Sequence, residues 1–120
     1  EEYRRAISLL RMEGGLIVPK LHFGLGDSLA RMGRARDAEK AFKAELGLDP
    51  TSVETRAGLG ALYWSHSQDA RAREVIAGIV TQTPRAGAAE YASVIRTFEG
   101  LGDAESVAIW RERAKSAGHQ

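Results

Sequence analysis

The series Leu25-Gly26, Leu29, Ala38, Phe42 and Pro50 returns as Leu59-Gly60, Tyr63, Ala72, Ile76 and Pro84, each member 34 residues after its counterpart. Self-similarity at a fixed period limits the fold more tightly than composition does, because each unit must bury its apolar face against a neighbour of the same shape. Within a unit the apolar residues recur at three and four positions, the spacing of one face of an α-helix, and glycine or proline interrupts the pattern. Two helices joined by only a few residues lie antiparallel against each other. The period therefore predicts an all-α chain of stacked helix pairs.

Taken in order, residues 1–13 carry Tyr3, Ala6, Ile7, Leu9, Leu10 and Met12 at helical spacing, and Gly14-Gly15 ends the pattern. Pro19 opens a helix over 20–32 that Gly33 closes, and a partner follows over 36–47 with Ala38, Ala41, Phe42 and Leu46 inward, up to Asp49-Pro50. The second unit repeats this as helices over 53–65 and 69–81, stopped by Pro84, with Thr51 and Thr83 placed to satisfy helix-end amides. The third is looser. A helix over 88–99 carries Tyr91, Val94, Ile95 and Phe98, a turn follows over 100–103, and a last helix over 104–116 carries Val107, Trp110 and Ala114. Phe98 follows Tyr63 by 35 residues, so Gly87 reads as an insertion between units, and the tail Gly118-His119-Gln120 is expected to fray. About seven helices are expected in one domain over 1–120: part of a unit over 1–18, units over 19–52 and 53–86, and a degenerate one over 87–120.

Composition excludes several classes of function. Seventeen basic against sixteen acidic residues leave a formal charge of +1, which gives no global field toward nucleic acid or an anionic membrane. The absence of cysteine removes disulfides and thiol chemistry. The run Leu16-Ile17-Val18 is far too short to span a bilayer. Arginine outnumbers lysine, which hints at a GC-rich genome.

A 34-residue helix–turn–helix unit with Leu-Gly, an aromatic or large apolar residue, a small residue, a second large apolar residue and a closing proline resembles the tetratricopeptide repeat (TPR). The resemblance covers almost the whole chain and implies a right-handed superhelical solenoid of antiparallel helix pairs. Glu2-Tyr3-Arg4-Arg5-Ala6 then looks like the second helix of a repeat whose first is missing, so the chain reads as a fragment of a larger protein. Gly26 and Gly60 each cost roughly 1 kcal/mol against alanine inside a helix. That cost makes sense where helices approach closely, with Ala38 and Ala72 expected opposite. Three positions depart from the pattern: His22 and Arg56 stand where a large apolar residue is usual, and Glu45 where a small one is. Glu45 and Arg56 are expected to pair at the junction of units, since an unpaired charge there costs several kcal/mol. The run from His22-Phe23-Gly24-Leu25-Gly26-Asp27 through Gly33-Arg34 to Ala38-Glu39 also resembles repeats in the tails of bacterial sulfatase-like hydrolases.

No residue pattern supports catalysis, a cofactor or a metal. Gly24-Leu25-Gly26 has Leu29 where a dinucleotide fingerprint needs its third glycine. His22 and Asp27, which with Ser28 supply the letters of a hydrolytic triad, lie about 140° apart around one helix. His22, His66 and His119 have no second ligand at metal spacing, and the last two read as surface residues. Arg71 and Arg73 near Glu74, and Arg111 with Arg113, read as solvated faces.

In the TPR family the first helix of each pair lines a concave groove. The resemblance therefore places Lys20, Phe23, Gly24, Asp27 and Arg31 beside Ala57, Gly58, Ala61, Trp64 and Ser65, and then Ala92, Arg96 and Glu99. Phe23 and Trp64 read equally well as core residues or as anchors for a peptide. Gly24 and Gly58 weaken their helices with no packing reason legible in the sequence, and alanine at both is expected to stabilise the fold. Phe23 and Asp27 stand where a carboxylate clamp would want lysine and asparagine, which disfavours acidic chaperone tails.

The expectation is a non-enzymatic scaffold binding a protein or peptide partner in the groove, with no nucleic acid, membrane or cofactor. The alternative is self-association, as a homodimer through the N-terminal helix or by docking within a parent chain, such as the tail of an exported sulfatase-like hydrolase. The compartment follows the parent: cytoplasmic or exported.

Overall fold

The computed structural model describes residues 21–119, which form six α-helices: α1 (Leu21–Arg31), α2 (Ala35–Leu48), α3 (Val53–Ser65), α4 (Asp69–Thr81), α5 (Ala88–Leu101) and α6 (Ala104–Ser116). The helix expected over 1–13, the self-association surface placed on it, and Lys20 lie outside the described residues. The fifth helix runs on through Gly100 and Leu101, which shortens the expected turn to Gly102-Asp103.

Local chemistry sets the ends. Gly33 and Gly102 take left-handed φ of +77° and +78°, which only glycine adopts without strain, and each lets the chain reverse into the next helix. Ser52, rather than Thr51, caps α3: its Oγ accepts from Thr55 N at 3.3 Å. Thr51 Oγ1 instead donates to Asp49 Oδ1 at 2.9 Å, and Thr83 Oγ1 to Ile79 O at 2.7 Å, so neither threonine serves a helix-end amide. Glu90 reaches back to accept from Gly87 N at 2.6 Å and starts α5. The tail is ordered up to His119, whose N–H donates to Ala114 O at 2.7 Å and whose ring lies 5.3 Å from that of Tyr91. His119 does not stand free at the surface, because Gly118 at φ +85° turns the chain back over the last turn of α6.

Each helix packs on the next in sequence, and α1 also touches α3, as α3 touches α5. The result is elongated, 48 × 30 × 16 Å, with a radius of gyration of 15.5 Å against about 13 Å for a compact domain of roughly 100 residues. The core is accordingly divided. Leu29, Ala38, Phe42, Leu59, Tyr63 and Ala72 join the first four helices, while Ile76, Ile79, Val94, Phe98, Val107 and Trp110 join the last three.

The repeated glycines mark close approaches, with a different partner from the one expected. A Cβ at Gly26 would fall 2.8 Å from Phe42 Cδ1, and one at Gly60 would fall 2.5 Å from Ile76 Cγ1. Each glycine therefore receives the large apolar residue of the second helix, not Ala38 or Ala72. The last pair lacks this fit, since 35 residues on from Gly60 and Ile76 stand Ile95 and Arg111. Bulk has replaced the notch and a charge has replaced the plug. The α5–α6 pair keeps a cavity of about 340 Å³ bordered by Phe98, Ala104, Val107 and Arg111.

Glu45 and Arg56 do not pair. Glu45 is 7% exposed with no hydrogen bond to its Oε1. The Arg56 guanidinium donates instead to Pro50 O at 2.8 Å through Nε and to Val75 O at 3.1 Å through Nη1. It reaches α4 because Gly78 leaves bare backbone there: a Cβ would stand 2.5 Å from Arg56 Cζ.

Candidate functional site

Residues expected along the first helices sit as follows. On α1, Phe23 is half-buried, with its ring 6.0 Å from that of Phe42 and tilted by 50°. Gly24 is exposed with open space where a Cβ would stand, and Asp27 and Arg31 form a 3.0 Å ion pair one turn apart. On α3, Ala57 and Gly58 are half-buried, and Ala61 and Ser65 are exposed. Ser65 Oγ donates to Leu62 O at 2.8 Å and leaves no free hydroxyl proton. Gly58 has a packing role that the sequence does not reveal: a Cβ there would meet Phe42 Cε1 at 3.0 Å and Phe23 Cε1 at 3.5 Å. Stabilisation by alanine is therefore still expected at Gly24, where a methyl meets nothing, and no longer at Gly58.

Trp64 is half-buried against the first core cluster, with the Arg73 guanidinium 5.9 Å from its ring centroid. On α5, Arg96 Nη2 donates to Ser93 Oγ at 3.3 Å, and Glu99 accepts from Arg111 at 2.8 Å. The structure thus brings Phe23 to Gly58 and Asp27 to Arg31, while Trp64 and Glu99 lean toward the second helices of their pairs. Both aromatics serve the core in part.

The strongest polar constructions join elements in ways the sequence conceals. Asp103, with a side chain 3% exposed, caps α6 by accepting from Ser106 N at 3.3 Å and from Ser106 Oγ at 2.5 Å. It also receives two parallel bonds from Arg73, Nε to Oδ2 at 2.9 Å and Nη2 to Oδ1 at 3.0 Å. The Arg73 bonds, followed by those from Ser106, hold the Asp103 carboxyl down at about 2 against the desolvation that opposes them. The same bond raises the Arg73 pKa. Arg73 is therefore a strut from α4 to the α5–α6 turn, while its side chain stays 40% exposed. Arg111 is held by Glu99, and Arg113 lies 4.8 Å from the Trp110 ring centroid.

On the other side of the molecule, Tyr63 donates its hydroxyl to Glu39 Oε2 at 2.5 Å, and Lys43 pairs with the same oxygen at 3.2 Å. Burial, then the bond to Glu39, pushes the Tyr63 phenol up to about 12, while that bond pulls Glu39 down. Both shifts keep the proton on the tyrosine. The only sequence hint was the aromatic at a repeat position, since nothing in the chain links Glu39 to it.

His66 stands exposed at the end of α3, its Nδ1 2.9 Å from Leu62 O. Among the described residues no three of His, Asp and Glu gather as metal ligands, and no helix is long and apolar enough to cross a membrane. Neither family models nor curated proteins match the chain.

Proposed function

We propose that the chain is a non-enzymatic interaction scaffold of the TPR type, a right-handed stack of antiparallel helix pairs that binds a peptide or a partner helix along its first helices. The observation that carries this reading is the succession α1–α3–α5: first helices of consecutive pairs touch directly, as a continuous binding face requires. The period of the Gly26–Phe42 and Gly60–Ile76 contacts supports the same reading, since equal contacts at equal spacing build a regular stack. A rigid face of this kind recognises a partner by shape and by side chains placed at fixed intervals. Exposed Gly24 and Ala61 leave room for a backbone to approach beside half-exposed Phe23 and Trp64.

Selection of displayed peptides on the immobilised chain tests the proposal. It predicts an enriched consensus whose binding is lost in Ala61→Arg, an exposed site on the first-helix face, and kept in Arg71→Ala on α4. Failure to enrich any consensus, or binding indifferent to Ala61→Arg, overturns it.

A further inference from the structure

A groove of about 490 Å³ lies between α2 and α4 with α3 as its floor. Arg56, Leu59 and Tyr63 line it from α3, about half a turn around the helix from Ala57 and Ala61, so it opens away from the first-helix face. Its charged residues are Lys43, Arg56, Arg71 and Glu74. Lys43 is already engaged by Glu39. Neither Arg56 nor Arg71 forms an ion pair with a carboxylate among the described residues, although Arg71 stands close enough to Glu39 for its charge to help lower that carboxyl's pKa. Against these cations stand Glu74 in the lining and Glu39 beside it, the latter bonded to Tyr63 and Lys43.

The Arg56 head group is fixed. Two of its five N–H donors are taken by Pro50 O and Val75 O, and its plane rests on the bare backbone at Gly78. Burial lowers its pKa from the ordinary value, the mark of a cation that gives up water without gaining an acid. Arg71 lies 5.9 Å from the Tyr63 ring centroid and supplies the second charge. A preorganised guanidinium with donors to spare is the usual receptor for a carboxylate.

We propose that this groove binds a peptide through an acidic side chain, its carboxylate taken by Arg56, with Arg71 as a second positive charge further along the groove, and its aliphatic part laid on Leu46, Leu59 and Val75. A peptide is favoured over a free anion because a lone oxyanion would leave the apolar floor of Leu46, Leu59 and Val75 wet. The site is distinct from the first-helix face, so its failure leaves the scaffold reading standing.

The test is an amide chemical-shift titration of the isotope-labelled 120-residue chain at low salt. The probes are a capped alanine peptide carrying two glutamates, the same peptide with glutamines, and inorganic phosphate. Saturable shifts at Val75 and Gly78 are expected with the glutamate peptide and none with the glutamine one, and phosphate should bind about tenfold more weakly. Arg71→Ala, which removes no hydrogen bond of the fold, should weaken peptide binding by about tenfold. Arg56→Lys, which keeps the charge and loses the fork, should do the same. Absence of saturable shifts, equal shifts with the glutamine peptide, or binding unchanged in Arg71→Ala overturns the proposal. Phosphate binding as tightly as the peptide overturns its peptide part.

Discussion

Asp103→Asn removes one charge and almost no volume from the joint between the last two helix pairs. The asparagine keeps an oxygen for the Ser106 amide, so the cap of α6 survives, and what is lost is the attraction that Arg73 exerts on a carboxylate. The magnitude follows from linkage. The Asp103 carboxyl titrates at about 2 in the folded chain against 3.8 in an unperturbed one, and each unit is worth 1.36 kcal/mol. The wild type is therefore more stable than the variant by about 2 kcal/mol at neutral pH. Because the folded value is the lower one, this stability is complete above the unfolded pKa and disappears as pH falls through the folded one. Urea midpoints of the two proteins should differ by the full amount at pH 7 and by almost nothing near pH 2. A gap that stays constant from pH 5 to pH 2 would refute the assignment of the stability to the carboxylate charge.

Other perturbations follow from the packing. Gly60→Ala gains roughly 1 kcal/mol of helix propensity but drives a methyl to 2.5 Å from fully buried Ile76. A net loss of roughly 1–2 kcal/mol in chemical denaturation is expected. Gly24→Ala meets nothing within 4 Å and should raise stability by up to about 1 kcal/mol in the same assay. Glu45→Met removes a buried oxygen that has no hydrogen bond and should stabilise the chain by on the order of 1 kcal/mol, read as a higher urea midpoint. In an ultraviolet titration one of the three tyrosines, Tyr63, should ionise near 12 instead of 10. The stability it contributes is present below pH 10 and is lost as pH rises through 12. In Tyr63→Phe that late step should vanish.

Local signals made the helices legible. Gly33, Pro84 and Gly102 sit at or near helix boundaries for backbone reasons that operate within a few residues, and the buried faces follow the three-to-four spacing of Ala38, Ala41 and Phe42. Side-chain partners across pairs were not legible in the same way. Arg56 stands near Glu45 at the junction of units, so pairing charge with charge was the natural inference. In the folded chain its head group bends over Gly78 and meets two carbonyls instead. Arg73 and Asp103 are 30 residues apart, a separation at which nothing in the pattern links them.

By itself the sequence determined the period, the antiparallel pairing and the glycines at which helices close, because these depend on spacing and on steric freedom at single positions. Only the tertiary structure decided which residue fills each glycine notch, that Gly58 shelters two aromatic rings, and that a cavity borders the last pair. It also decided that Arg56 and Arg71 line one groove. Such outcomes depend on where long side chains end, and those ends are fixed by neighbours brought together from distant parts of the chain.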